Sequence, residues 1–98
     1  GDEIRKLRPA VIVSDEGVGL LSLKVVVPVT KWQDRFMERK WMALLEPTTE
    51  NGLTKGSAAD AFQVNSVSTE RFVRQIGTLS ETEMQAITQA LALVTNIE

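Results

Sequence analysis

Two runs of β-branched residues near the start of the chain constrain its fold more than any other feature. Residues 10–13 (Ala-Val-Ile-Val) and residues 25–29 (Val-Val-Val-Pro-Val) are apolar throughout, which predicts two strands that are each buried on both faces. Residues 15–19, which contain two acids and two glycines, supply turn chemistry between them. We therefore predict strands over residues 9–14 and 20–30, joined by this turn.

The middle of the chain predicts further short strands separated by polar turns. Asn51-Gly52 and Gly56 are typical of a surface loop, and Pro47 ends the strand before it. Residues 31–40 are charged and aromatic, which predicts either a loop or one or two helical turns. The other predictions are strands over residues 41–46, 60–67 and 72–76, a loop over residues 48–57 and a tight connection over residues 68–71.

The end of the chain predicts a helix over residues 81–95. Ser80 and Glu83 have the spacing of a capping box, in which the side chain of each residue accepts a hydrogen bond from the backbone N–H of the other. An apolar stripe at helical spacing follows, formed by Met84, Ile87, Leu91 and Val94. Several short strands before one helix predict a mainly β fold with a C-terminal helix, built as a small barrel or curled sheet.

Length and composition predict one domain over residues 1–98. The chain has no cysteine, which excludes disulfides and thiolate metal sites and is compatible with a reducing cytoplasm. Residues 25–29 form the longest apolar run, which is too short to span a bilayer. Because the chain starts with Gly1 and not with Met, we expect that residues of the natural protein are missing at the front or have been replaced there.

The absence of histidine limits the chemistry of this chain further. Without His and Cys there are no common ligands for a transition metal, and a catalytic triad has no base. The net charge of −2 divides unevenly, since residues 1–40 carry +2 and residues 41–98 carry −4. This asymmetry fits a basic face for phosphates as well as an ordinary solvated surface. Three polar residues at predicted strand ends are the candidates for a site: Arg8, Thr30 and Asp60.

Four segments of the chain resemble one known family. Residues 1–14, in which Glu-x4-Arg-Pro leads into Ala-Val-Ile-Val-Ser, resemble the loop and second strand of the MazF/PemK toxins. Residues 25–30 (Val-Val-Val-Pro-Val-Thr) resemble the strand that carries their second active-site position. Residues 63–68 (Gln-Val-Asn-Ser-Val-Ser) are similar to their late strand, and residues 80–98 to their closing helix.

This resemblance implies a small SH3-like, PemK-type β-barrel whose first strand is missing from this chain. It also implies a metal-independent endoribonuclease that cuts single-stranded mRNA at selected sequences through the RNA 2′-hydroxyl, needs no cofactor, forms a homodimer and is silenced by an antitoxin. Arg8 and Thr30 are then catalytic, and Glu3 supports them. Four further residues are expected to bind the RNA: Asp60, Gln63, Ser57 and Lys31.

Each of these residues also has a purely structural interpretation. Arg8 is equally typical of a surface charge, Thr30 of a strand-end hydroxyl bonded to backbone, and Asp60 of a turn residue. Trp32 and Phe36 favour a core or a dimer contact over stacking on bases.

One departure from the family concerns proton transfer. Phe62 occupies a late-strand position where some relatives have an acidic residue. Asp60, Glu3 or water must therefore accept the proton of the attacking hydroxyl.

Two other functions remain open at the level of sequence. The CcdB toxins use a similar barrel to poison DNA gyrase through a tail ending in Trp-Gly-Ile, whereas residues 95–98 here read Thr-Asn-Ile-Glu. The third possibility is an inactive family member that only binds an antitoxin or gyrase.

Overall fold

The computed structural model describes residues 7–96. This part of the chain forms five strands and one α-helix: β1 (Ala10–Ile12), β2 (Leu23–Lys31), β3 (Met42–Leu45), β4 (Ser57–Asp60), β5 (Asn65–Ser68) and α1 (Glu81–Thr95). Three 3₁₀ helices lie between them: Asp34–Glu38, Ala61–Gln63 and Thr69–Arg71. The predicted mainly β fold with a C-terminal helix is confirmed.

Strand β2 is the centre of an antiparallel sheet with the order β1-β2-β4-β3, and β5 is a further partner of β2. Val26 pairs with Ile12 of β1 and with Asn65 of β5, so β1 and β5 lie along opposite edges of β2. β4 and β5 therefore follow one another along the same edge. The two outer strands, β1 and β3, do not pair, and the sheet formed by residues 7–96 is not closed into a barrel.

The edge made by β4 and β5 is interrupted by the 3₁₀ helix Ala61–Gln63. The Asp60 carboxylate caps this helix by accepting the N–H of Phe62 at 3.1 Å. Pro28 lies between the residues of β2 that pair with β4 and those that pair with β5. Because proline has no N–H to donate, the interruption leaves no N–H of Pro28 without a partner. The predicted single strand over residues 60–67 is therefore wrong.

The other strand predictions agree with the structure to different degrees. β1 covers three of the predicted six residues, and the N–H of Val13 continues its ladder by donating to the Val25 carbonyl at 2.9 Å. Ser57 begins β4, although the sequence predicts a loop there. Residues 72–76 have the composition of a strand, but they run from β5 towards α1 without pairing with a strand in the described part of the chain.

The main core lies between the sheet and α1. It consists of buried residues from three strands and the helix: Val27, Val29, Ala43, Leu45, Ala59 and Ile87. The predicted helix is confirmed, and it begins at the predicted capping box, where the Ser80 hydroxyl accepts the Glu83 N–H at 3.1 Å. It ends at Asn96, which has the left-handed backbone (φ 56°) typical of a helix C-terminus. No helix within residues 7–96 has the length and apolar character needed to cross a membrane.

The opposite face of the sheet carries a second, smaller core. Phe36, from the 3₁₀ helix Asp34–Glu38, packs with Met42 and Ala58, and Trp32 packs against this cluster. Side chains alternate along a strand, so Ala58 points away from the face on which Ala59 contacts the main core. We call the Ala58 side of the sheet the outer face.

Candidate active site

The register of β1 and β2 brings Arg8 and Thr30 to the same end of the sheet. Ala10 pairs with Pro28, and the Val29 N–H donates to the Pro9 carbonyl at 3.0 Å, so the ladder extends one residue beyond β1. Continuing the register by one more residue sets Arg8 opposite Thr30.

The kind of pair that this register produces favours contact between the two side chains. Hydrogen-bonded and non-bonded pairs alternate in an antiparallel ladder, and Val29 is bonded to Pro9, so the next position of this register, Arg8 with Thr30, is a non-bonded one. Side chains of such a pair project from the same face. Arg8 is exposed and Thr30 is half-buried, so the guanidinium group is open to a ligand.

The neighbours of Thr30 on its other side place Asp60 nearby. Thr30 pairs with Ala58 of β4, which is completely buried. Thr30 therefore shares the outer face with Ala58, and Asp60, two residues further along β4, lies diagonally across from Thr30 on the same face. Asp60 is half-buried, and one of its carboxylate oxygens accepts the Phe62 N–H.

The remaining predicted residues are placed less favourably. Lys31 pairs with Ser57, but both alternate to the face opposite Thr30. Lys31 is exposed, whereas Ser57 is only 3% exposed and its hydroxyl donates to the Lys55 carbonyl at 2.9 Å. Gln63 is exposed at the end of its 3₁₀ helix. Glu3 lies outside the described residues.

Two arginines that the sequence pattern did not single out contact a ring on the outer face of the sheet. The guanidinium carbons of Arg35 and Arg39 each lie 5.5 Å from the centre of the Phe36 ring. The sequence showed only that residues 31–40 are charged and aromatic. The contact with Phe36 depends on the 3₁₀ helix and on the packing of its ring against the sheet.

An open depression near the start of α1 is unsuited to binding a phosphate. Glu46, Glu50 and Glu83 line it, and no Lys or Arg does. The backbone N–H of Ser80 donates to the Glu83 carboxylate and lowers its pKa from the ordinary value of 4.5, an effect that burial opposes and the side chains of Asn51 and Ser80 reinforce. Glu83 is therefore ionised at neutral pH, and the depression repels anions.

Comparison with known proteins identifies the family. Residues 1–95 match the model of the PemK-like, MazF-like toxins of type II toxin–antitoxin systems. The chain belongs to this family. The resemblance seen in the sequence is confirmed, and this PemK-like toxin carries Arg8, Thr30 and Asp60 within the matched region.

One relative supports the assignment, and two solved structures share the fold of this PemK-like toxin. Endoribonuclease MazF9 from Mycobacterium tuberculosis is 34% identical over 95% of this chain and 81% of its own length. The solved M. tuberculosis toxin MazF-mt6 has the same fold, with a TM-score of 0.77 and 22% identity over 93% of this chain and 88% of its own. A mycobacterial endoribonuclease solved with its cognate antitoxin has a TM-score of 0.74 and 18% identity over 93% of this chain and 82% of its own.

Proposed function

We propose that this PemK-like toxin cuts single-stranded RNA, mRNA above all, at selected sequences and without a metal ion. Endoribonuclease activity follows from membership in the family, which includes a relative named as an endoribonuclease. The proposal for this chain is supported by the register of β1 and β2, which points to Arg8 opposite Thr30 when it is continued one residue beyond the bond from Val29 to Pro9.

The proposed reaction uses a nucleophile that the RNA itself provides. The 2′-hydroxyl attacks the adjacent phosphorus, a bond forms between the 2′-oxygen and phosphorus, and the bond to the 5′-oxygen breaks. The products are a 2′,3′-cyclic phosphate and a 5′-hydroxyl. Histidine is dispensable in this scheme, because the protein has to hold the in-line geometry and stabilise the charge on the five-coordinate phosphorus.

Arg8 and Thr30 supply the donors that this transition state needs. The planar, permanently charged guanidinium group of Arg8 matches two phosphate oxygens, and it is placed to stabilise the leaving 5′-oxygen. The Thr30 hydroxyl donates a further hydrogen bond to the phosphate. We assign the proton of the attacking 2′-hydroxyl to water, to Glu3 or to Asp60, of which Asp60 shares the outer face with Thr30 and has one carboxylate oxygen beyond the one that caps Phe62.

The proposal includes two partners and a location. A relative was solved in complex with its cognate antitoxin, and we propose that this chain binds such a protein, whose acidic segment blocks the outer face. We further propose a homodimer formed through residues 20–30 and α1, in the cytoplasm where mRNA is found. The turn that leads into β2 exposes three apolar side chains, Val18, Leu20 and Leu21. Their exposure favours a contact with the second copy at this turn.

Incubation of the purified protein, free of antitoxin, with a mixed-sequence single-stranded RNA in EDTA tests the proposal. We expect cuts at a restricted set of sequences, with 2′,3′-cyclic phosphate and 5′-hydroxyl ends. DNA of the same sequences should stay intact because it lacks the 2′-hydroxyl. An RNA pool left uncut under these conditions would show that this chain is an inactive member of the family.

A further inference from the structure

The segment that follows Thr30 contains more basic residues than any other ten-residue stretch of the described chain. Residues 31–40 contain four basic residues and two acidic ones, Asp34 and Glu38, both of which are exposed. The basic residues are Lys31, Arg35, Arg39 and Lys40. An excess of positive charge directly after a candidate catalytic residue is suited to a polyanionic substrate.

Two of these basic residues are held in place by an aromatic ring. The guanidinium carbons of Arg35 and Arg39 both lie 5.5 Å from the centre of the Phe36 ring, within the range of a cation–π interaction. The ring itself is fixed, since Phe36 is only 4% exposed and Trp32 meets it edge-on at 5.7 Å with an interplanar angle of 88°. Arg35 is exposed and Arg39 is half-buried, so both retain N–H groups that face solvent.

The ring that anchors the two arginines packs next to Thr30. Phe36 contacts Ala58 in the smaller core, and Ala58 is the residue of β4 that pairs with Thr30. Paired residues project from the same face of a sheet, so Phe36 covers the outer face one strand away from the Thr30 side chain. Neighbouring strands lie only about 4.8 Å apart. Arg35 and Arg39 are therefore anchored to a ring on the same face of the sheet as Thr30, one strand away from it.

We infer that Arg35 and Arg39 form a second phosphate-binding subsite, which holds backbone phosphates of the RNA next to the one that is cut. This inference rests on the proposed function, because it takes single-stranded RNA as the substrate. A guanidinium group binds phosphate oxygens through two parallel N–H donors, and a group already held against a ring loses less freedom on binding. The subsite acts on every RNA sequence alike, since a phosphate carries no sequence information.

A double substitution, Arg35→Gln with Arg39→Gln, tests the subsite in cleavage and binding assays. We expect KM for a short single-stranded RNA to rise about tenfold while kcat changes less than about twofold, because the two guanidinium groups hold the substrate and do not touch the reacting atoms. The slope of log affinity against log salt concentration should fall by about 1.4, at about 0.7 for each phosphate that is no longer neutralised.

Arg71→Gln with Arg74→Gln is the matched control, because it removes the same charge elsewhere. Arg71 follows β5, whose last residue pairs with Leu23. Leu23 is seven residues from Thr30 along β2, or about 23 Å. This control should leave KM and the salt slope near the wild-type values.

Loss of the arginines also uncovers Phe36, so the variant needs a check on folding. Arg35→Lys with Arg39→Lys keeps both charges and gives up only the planar groups. It should keep the wild-type salt slope and recover part of the affinity. If the lysine variant bound RNA as weakly as the glutamine variant, and both melted at a lower temperature, the arginines would only support the fold and the inference would be overturned.

Binding to an RNA with 2′-O-methyl groups separates this inference from the proposed function. If the wild-type protein binds this uncleavable RNA and cuts ordinary RNA, but the glutamine variant equals its control in KM and salt slope, the subsite is wrong and the proposed function stands. If the wild type binds RNA without cutting it and the glutamine variant binds less, the subsite stands and the proposed function fails. If the variant loses affinity for the antitoxin alone, the arginines serve a protein partner and the inference is overturned.

Discussion

At the scale of single residues, the candidate site depends on one cross-strand pair. Arg8 lies before β1 and Thr30 lies near the end of β2, and twenty-one residues separate them in the chain. The register of two short strands, extended by the bond from Val29 to Pro9, sets them opposite one another. In the proposed mechanism the two side chains act as donors to one phosphate, and donors that need not reorganise are the main source of transition-state stabilisation in many enzymes.

The first prediction concerns the shape of the cation at position 8. Arg8→Lys keeps the charge but loses the planar group, and we expect kcat on a short RNA to fall by roughly 10²-fold, as when one preorganised donor is removed. Arg8 is exposed, so the unfolding midpoint in urea should change little. Arg71→Lys, at another exposed arginine, is the control and should keep full activity. A lysine variant with wild-type kcat would remove Arg8 from the proposed mechanism.

The second prediction isolates the hydroxyl of Thr30. Valine has nearly the same shape and fits a strand at least as well, so Thr30→Val removes the donor while β2 is preserved. We expect kcat to fall by about 10²-fold or more, whereas Thr30→Ser, which keeps a hydroxyl, should retain most of the activity. Equal kcat values for the serine and valine variants would instead assign Thr30 a structural role.

At the scale of elements, the loop after β3 and the start of α1 are joined through the Asn51 side chain. Asn51 is only 3% exposed, and its side-chain oxygen accepts the N–H groups of Thr48 (2.9 Å) and Leu53 (3.0 Å). Its amide group donates to the Glu46 carbonyl (2.8 Å) and to the Glu83 carboxylate (2.9 Å). Because Glu83 also caps α1, one network orders both the loop and the first turn of the helix.

The third prediction follows from the lowered pKa of Glu83. A carboxyl group whose pKa is lower in the folded state stabilises the fold above its unfolded pKa and loses this effect as the pH falls through its folded pKa. Glu83→Gln keeps a side chain that can complete the capping box but has no charge. We expect it to lower the free energy of unfolding at pH 7 by less than about 1 kcal/mol, because solvent screens a charge at the surface.

The pH dependence of that difference distinguishes charge from shape. Urea unfolding of both proteins should show a constant difference above the ordinary pKa of 4.5 and a shrinking one below it. Glu81→Gln, another first-turn carboxyl for which the structure gives no partner in the network, serves as the control. A difference that stays constant down to pH 3 would mean that the ionised carboxylate does not stabilise the helix start.

The sequence predicted correctly those strands and the helix whose formation depends on residues that are neighbours in the chain. The β-branched runs of β1 and β2 and the capping box of α1 depend on neighbouring residues, and these elements are present. The interruption at Ala61–Gln63 depends on Asp60 as a cap and on a proline in the facing strand, so no window of the sequence around it reveals it. Residues 72–76 have a strand-like composition but no strand beside them among the described residues.

The sequence predicted those residues of the candidate site that belong to motifs of the family. The resemblance singled out Arg8 and Thr30, and the register supplied the reason why they could act together. Ser57 was expected to bind the RNA, yet packing buries it and its hydroxyl donates to the Lys55 carbonyl. Arg35 and Arg39 could not be singled out in the same way, because their common contact, Phe36, becomes significant only once it is packed on Ala58.

At the scale of the whole molecule, several large apolar residues of the described chain are exposed. Leu21 is 88% exposed, and Leu20 and Val18 are each 68% exposed, all in the turn before β2. Leu93 is also exposed on α1. Exposed apolar residues grouped in this way are typical of a protein–protein interface.

The fourth prediction is that the double variant Leu20→Ser with Leu21→Ser is monomeric. The mass of one chain is 10.8 kDa, and light scattering should give twice this value for the wild type and the single value for the variant. Met37→Ser, at a residue that is 77% exposed in the 3₁₀ helix Asp34–Glu38, is the control and should remain a dimer. A wild type that is already monomeric at micromolar concentration would rule out the proposed homodimer.

The network around Asn51 also affects the deamidation of this residue. In a flexible peptide, an asparagine followed by glycine deamidates readily, because the glycine nitrogen attacks the side-chain carbonyl and closes a succinimide ring. Here the Gly52 N–H donates to the Thr48 carbonyl at 3.1 Å and both ends of the Asn51 amide are engaged, while any side chain at position 52 would collide with the Ile76 carbonyl. The folded loop thus requires the Asn-Gly dipeptide and protects it from deamidation. Deamidation adds one dalton to the mass, so its extent in a stored sample measures how long the molecules have spent unfolded.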